Sequence, residues 1–145
     1  MPRTETATHR QLVAAAKAVA HPTRLRILAM LQSGEMCVCQ LSAILQAAAS
    51  TVSGHLTDLR RSGLVVERKV GKLVFYSIDG AGPFSSWVRA ALALVGDDAQ
   101  VREDAALIRK VQAVPIPALT RGGLSLDDIR RRRAGRRAVR AVARD

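Results

Sequence analysis

Residues 50–78 read STVSGHLTDLRRSGLVVERKVGKLVFYSI, and the period of the apolar residues changes inside this stretch. At about 100° per residue, Val52, Leu56 and Leu59 share one side of a helix running to about Arg61. The opposite side collects Ser50, Ser53, Gly54, Thr57 and Arg61, with Thr51 at the helix start. Either Ser50 or Thr51 suits the N-cap, where a hydroxyl oxygen accepts a backbone N–H that has no partner within the helix. Ser62-Gly63 stops the helix. From Leu64 to Lys69 and from Lys72 to Ile78, β-branched and aromatic residues alternate around Val70-Gly71, which predicts a β-hairpin.

The flanking segments are helical. Residues 37–46 (CVCQLSAILQ) predict a short helix with Val38, Leu41, Ile44 and Leu45 inward, joined to the next helix through Ala47–Ala49. Residues 8–20 and 22–32 predict two more, separated at His21-Pro22 because the residue before proline is pushed out of the α region. Pro22 suits a first helical turn, where its missing N–H is no loss. After the hairpin, helices are expected at 83–95 and 98–112. Pro115-Ile116-Pro117 interrupts the pattern. Residues 1–114 are therefore assigned to one DNA-binding and dimerisation domain, and 115–145 to a Pro/Gly linker and an Arg-rich tail. Four helices, a hairpin and a further helix make a mainly α fold with a β-hairpin wing, a winged helix-turn-helix.

Composition narrows the partners. The 145 residues carry a net charge of +11, with a pI near 11.3, and nine of the arginines fall after residue 120. Such a balance points to polyanions, with nucleic acid the default and an anionic membrane surface the weaker alternative. For the tail, a disordered polybasic segment and a helix formed on DNA both remain open. No apolar leader follows Met1, and no uninterrupted apolar run approaches the roughly 18 residues of a membrane span. The expected location is cytoplasmic, with no membrane partner. Paired carboxylates, a nucleophile–base set and a phosphate-cradling glycine loop are not found in the pattern, so neither an enzyme nor a catalytic cofactor is expected.

Small polar residues let a helix sit deep in a major groove and offer hydroxyls to base edges and phosphates. Ser50, Thr51, Ser53, Gly54, Thr57 and Arg61 are accordingly the expected DNA-facing residues of the recognition helix. Gly54 costs about 1 kcal/mol relative to alanine. Either it lets the backbone approach DNA, or it is a weak point tolerated by packing. Arg68, Lys69 and Lys72 surround the hairpin tip, where they are placed to meet the phosphate backbone. His55 lies beside the apolar stripe and reads as a packed, hydrogen-bonded histidine.

Cys37 and Cys39 are the remaining chemistry-bearing pair. On a regular helix Cys37 falls about 40° from Leu41 and faces the core, whereas Cys39 lies about 200° from Cys37. Burial as a small hydrophobe therefore accounts for the first and not for the second. Soft thiolates select thiophilic centres over hard cations.

Four stretches, KAVAHPTRLRILAML (17–31), EMCVCQL (35–41), STVSGHLTDLRRSGLV (50–65) and VERKVGKLVFYSI (66–78), resemble the ArsR/SmtB family of metalloregulatory repressors, closest to its arsenic-responsive members. The resemblance implies a homodimer, joined through the first and last helices of the body, on a near-palindromic double-stranded operator. It further implies release from that operator when an inducer binds. EMCVCQL is similar to the inducer site of the arsenic and antimony sensors, and of the cadmium and lead sensors, which makes Cys37 and Cys39 the implied thiolate ligands. The implied inducer is trivalent arsenic, as arsenite or an organoarsenical, or antimonite. Control by cadmium or lead, or by thiol oxidation, is the alternative. The arsenic sensors place a third cysteine three residues further on, where this chain has Ser42. A hydroxide, a cellular thiol or a carbon group already on the arsenic must then fill the third valence, which favours organoarsenicals. Two sulfurs on opposite sides of a regular helix cannot grip one atom, so binding is expected to unwind the first turn of helix 37–46 and disturb the recognition helix behind it. His9 could reach across a dimer to complete a cadmium- or lead-type site; otherwise it reads as an exposed helix residue. Two departures bear on base contacts: Ala48-Ala49-Ser50 stands where relatives often have a Ser-Gln-Pro-like segment, and Gly54 where many have a charge.

Overall fold

The computed structural model describes residues 6–121 and 124–132. Helix α1 (His9–Val19) is opened by a reciprocal capping box, in which Thr8 Oγ1 accepts from the Gln11 amide and Gln11 Oε1 accepts from the Thr8 amide. At the expected break, His21 becomes the N-cap of α2 (Pro22–Leu31), its Nδ1 accepting from the Thr23 amide at 3.1 Å. Helices α3 (Val38–Leu45) and α4 (Ala49–Arg61) form the helix-turn-helix pair. Leu41 and Ile44 of α3 and Val52, Leu56 and Leu59 of α4 are buried, as the apolar periods require.

The hairpin pairs β2 (Val65–Val70) with β3 (Leu73–Ile78), with Val70 opposite Leu73. The two-residue loop is therefore Gly71-Lys72, one residue later than the period suggests. Gly71 sits at φ 58°, a conformation that a side chain resists and glycine accepts. A further strand, β1 (Met36–Cys37), adds to the other edge of β3, giving an antiparallel sheet in the order β1-β3-β2. The sequence pattern does not predict this element, and it changes the local picture. Cys37 is opposite Phe75, in extended conformation at φ −88° and ψ 165°, so it precedes α3 as its N-cap rather than forming its first turn.

Two other expectations are corrected. The N-cap of α4 is Ala48, which offers no side-chain acceptor; Ser50 and Thr51 lie inside the helix. The tight turn after α3, with Gln46 at φ 52°, leads straight into the helix and fixes its start ahead of the hydroxyls. Beyond α5 (Ser85–Leu94) and α6 (Ala99–Gln112), the stretch assigned to a linker forms two short helices, α7 (Ile116–Thr120) and α8 (Leu126–Arg131). Pro117 occupies the first turn of α7, where it needs no N–H partner. Ser125 and Asp128 form a capping box on α8. Leu119 and Ile129 join the hydrophobic core, so packing continues well past residue 114. The arginines from 133 onward lie outside the described residues.

One buried ion pair locks α6 to α2. Asp104 is 1% exposed, and both its oxygens accept from Arg26, at 2.8 Å from Nε and 2.9 Å from Nη2. Gln100 Nε2 adds a third bond at 3.0 Å. The same hydrogen bonding to Asp104 raises the Arg26 pKa above its ordinary value. Removing one partner of such a pair leaves a partly buried charge without compensation. Asp104→Ala is expected to lower the unfolding free energy by about 3 kcal/mol in urea denaturation, whereas an exposed control such as Asp97→Ala should shift it by less than about 0.5 kcal/mol.

Candidate functional site

Helix α4 presents the expected polar face. Ser50, Thr51, Gly54 and Arg61 are exposed, and Ser53 and Thr57 are half-buried along its flank. A Cβ built on Gly54 would meet nothing within 4 Å, so no packing inside the chain demands glycine there. On the wing, Lys69 and Lys72 are exposed, and neither they nor Arg61 forms an ion pair among the described residues. Arg68 differs. Its Nε donates to Glu35 at 3.0 Å, its Nη2 to the other carboxylate oxygen, and its guanidinium lies 5.5 Å over the Phe75 ring. It ties the wing to the loop before β1, a tertiary contact that local sequence cannot reveal. Arg60, which the sequence pattern does not single out, faces Glu67 at 3.8 Å.

His55 is half-buried, its ring tilted against His21 with centroids 4.6 Å apart. Burial, then the neighbouring His21 and Arg24, push its pKa below the ordinary imidazole value. This is a packing histidine between α2 and α4, as its position beside the apolar stripe suggests, but its ring makes no hydrogen bond among the described residues. His9 is exposed at the start of α1.

The cysteines are not set apart as on a regular helix. Because β1 holds Cys37 extended while Cys39 is already helical, they leave the opposite sides of one helix, and both line the same pocket. Cys37 is buried at 2% exposure and Cys39 is half-buried. The Cys37 amide donates to Gln40 Oε1 at 3.1 Å, which pins the start of α3. Hydrogen bonding from Cys39, helped by backbone N–H groups of Gln40 and Cys39, lowers the Cys37 pKa to about 7 against the cost of burial. Cys39 is pushed the other way, by its bond to the Cys37 sulfur and by burial. The pair thus holds one readily lost proton and one retained proton.

Ser42 Oγ, one turn along α3, is buried without a hydrogen-bond partner among the described residues. Among those residues no three His, Cys, Asp or Glu side chains gather into a metal-binding group. The donor set inside one protomer is therefore two sulfurs with a serine hydroxyl nearby, which fits a thiophilic centre and falls short of the four N or S ligands of structural zinc. No helix among the described residues is long and apolar enough to cross a membrane.

A helix-turn-helix with a three-stranded wing and an open polar face on its second helix defines a winged helix-turn-helix protein. Residues 21–66 match the sequence profile described as bacterial regulatory protein, arsR family. A cadmium resistance transcriptional regulatory protein CadC homolog from Staphylococcus aureus is 42% identical over 64 residues, 43% of this chain and 53% of that protein. The arsenic resistance transcriptional regulator ArsR1 of Pseudomonas putida is 37% identical over 82 residues, 56% of this chain and 62% of that protein. The solution structure of a homodimeric winged helix-turn-helix DNA-binding domain from Mycobacterium bovis superposes with a TM-score of 0.53 at 31% identity, covering 61% of this chain and 81% of that one. The chain spans about half the length of the curated relatives it matches. The protein belongs to the ArsR family, whose members are transcriptional regulators rather than enzymes.

The two thiols give a direct test of the geometry. Ultraviolet absorbance of the wild type should show one thiolate forming with a midpoint near pH 7 and the other only well above the ordinary thiol range. Cys39→Ala removes the main cause of the lowered pKa, so the remaining thiolate should form at clearly higher pH. Two independent thiols titrating together near the ordinary value would show that the sulfurs do not touch.

Proposed function

We propose that the protein is a homodimeric, cytoplasmic repressor of transcription that binds double-stranded operator DNA and leaves it when Cys37 and Cys39 bind a trivalent arsenical or antimonite. The observation that carries this reading is that Cys37 and Cys39 line one pocket at the start of α3, one helix before the polar face of α4. A thiophilic ligand bridging both sulfurs ties the N-cap of α3 to its first turn. Any shift there passes through the tight Gln46 turn to α4, which biases a two-state element against its DNA-bound arrangement. The helical first turn need not unwind, because Cys37 already stands outside it.

The DNA contacts follow from exposure. Ser50, Thr51, Ser53, Gly54 and Thr57 read bases and nearby phosphates, with Gly54 allowing close backbone approach. Arg61, Lys69 and Lys72 hold phosphate, and Arg68 contributes less because Glu35 already neutralises it. Dimerisation is supported by apolar surface left open on the two helices expected to pair: Leu12 is 48% exposed, Val13 50% and Leu94 88%.

A cadmium or lead response is the second reading, favoured by the similarity to a cadmium regulator. Those softer divalent ions need ligands beyond two thiolates, and on this reading His9 of a second protomer supplies one across the dimer.

Replacing Arg61, Lys69 or Lys72 by Ala should weaken binding to operator and random DNA alike and reduce the salt slope by about 0.9 for each phosphate no longer neutralised. Ser53→Ala or Thr57→Ala should instead narrow the gap between operator and random DNA. Identical behaviour of the two sets in fluorescence anisotropy would refute this division of the surface. Separately, Cys37→Ser and Cys39→Ser should each bind operator but no longer release it on adding methylarsenite. Release from the double serine variant would remove the cysteines from the sensing role.

A further inference from the structure

Beside the two thiols lies a pocket of about 810 Å³. Val38 and Ala43 of α3 form one wall and Leu73 of the wing a second. The third wall is Leu119 of α7 with Leu124 just before α8, and it lies outside residues 21–66, the part matched by the family profile. This wall is fastened in place. Gln46 Nε2 donates to the Leu124 carbonyl at 3.1 Å, Ile129 is fully buried, and Arg130 bonds Glu103 of α6.

Arsenite bridged by two sulfurs carries only a hydroxyl into this space and leaves its apolar walls facing water. A cavity of about 150 Å³ with apolar walls is enough for benzene. The space beside Cys37 and Cys39 is several times larger; it is an open cleft whose apolar walls are joined by Ser42, Gln46, Lys72, Thr120 and Ser125. Ser42, in place of a third sulfur, leaves one arsenic valence to be filled from outside the protein.

We propose that this pocket takes the aryl-sized carbon substituent of a trivalent organoarsenical whose arsenic is held by Cys37 and Cys39. The inference rests on the thiol-sensing reading above and names its ligand class: arylarsenicals in preference to methylated ones and to arsenite. In the binding step two As–S bonds form and two As–OH bonds break. Each thiol proton leaves with a hydroxide as water, arsenic stays trivalent, and the As–C bond is untouched. The pocket that would hold the ring is bounded by the α3–α4 turn, the tip of the wing and the C-terminal wall. Ala49, the first residue of α4, and Lys72 at the wing tip line the same pocket, so its occupant abuts both DNA-contacting elements.

The test is the ratio of phenylarsenite to methylarsenite affinity, measured by competition on the full chain alongside loss of free thiols. The wild type should prefer phenylarsenite by about tenfold or more, since burying an aromatic ring instead of a methyl group favours it by at least that factor. Ala43→Phe, which fills the pocket, should bring the ratio down toward one. Leu124→Ala, which strips the C-terminal wall without crowding α3, should lower it as well and serves if the larger side chain prevents folding. A ratio near one in the wild type, or one that persists in Leu124→Ala, with both thiols consumed by either compound, overturns the aryl pocket and leaves the sensing cysteines standing. If neither compound consumes the thiols, the sensing reading fails and the pocket proposal fails with it.

Discussion

The short pairing of Met36–Cys37 with Phe75–Tyr76 is the constraint on which the proposed sensor depends. Two backbone positions held against β3 keep Cys37 extended, and only then can its sulfur meet that of Cys39 two residues later. A regular helix through both would set them on opposite sides. The same pairing joins the cysteines to the wing, because β3 lies between β1 and β2. Phe75, opposite Cys37, also carries the Arg68 guanidinium that Glu35 holds from the other side. The sulfur pair is thus mechanically continuous with the hairpin in one direction and, through α3, with the recognition helix in the other.

Much of this architecture is legible from local pattern. The stripe of Val52, Leu56 and Leu59 and the apolar, β-branched and aromatic run from Lys72 to Ile78 each point to one kind of element, and a helix and a strand stand there, with the hairpin loop one residue later and the helix start earlier than the pattern suggests. What local pattern misses is what distant residues decide. A two-residue strand has no period of its own, so β1 exists only because β3 arrives beside it. Arg68 reads as a free cation because Glu35 is 33 positions away in the chain. The C-terminal helices are a different case. Pro115-Ile116-Pro117 reads as a stop, yet proline also opens helices. Ser125 and Asp128 at capping-box spacing, with Leu124, Leu126 and Ile129 around them, are a usable signal that packing resumes.

The charge distribution and the pocket complement each other. Arg61, Lys69 and Lys72, around the polar face of α4 and the wing tip, are among the cations that form no ion pair within the described residues, whereas Arg26, Arg68 and Arg130 are held by internal carboxylates. The apolar pocket opens between those same two elements, so one small region carries both the proposed ligand chemistry and the edges of the proposed DNA interface.

The central claim is that both sulfurs bind one arsenic atom while the third valence comes from the ligand itself. X-ray absorption at the arsenic K-edge, on the wild-type protein loaded with one equivalent of phenylarsenite and freed of small thiols, reads this directly. The account predicts two sulfur neighbours and one carbon neighbour per arsenic, falling to a single sulfur in Cys39→Ser. A spectrum with fewer than two sulfurs in the wild type, or one unchanged by Cys39→Ser, would contradict it.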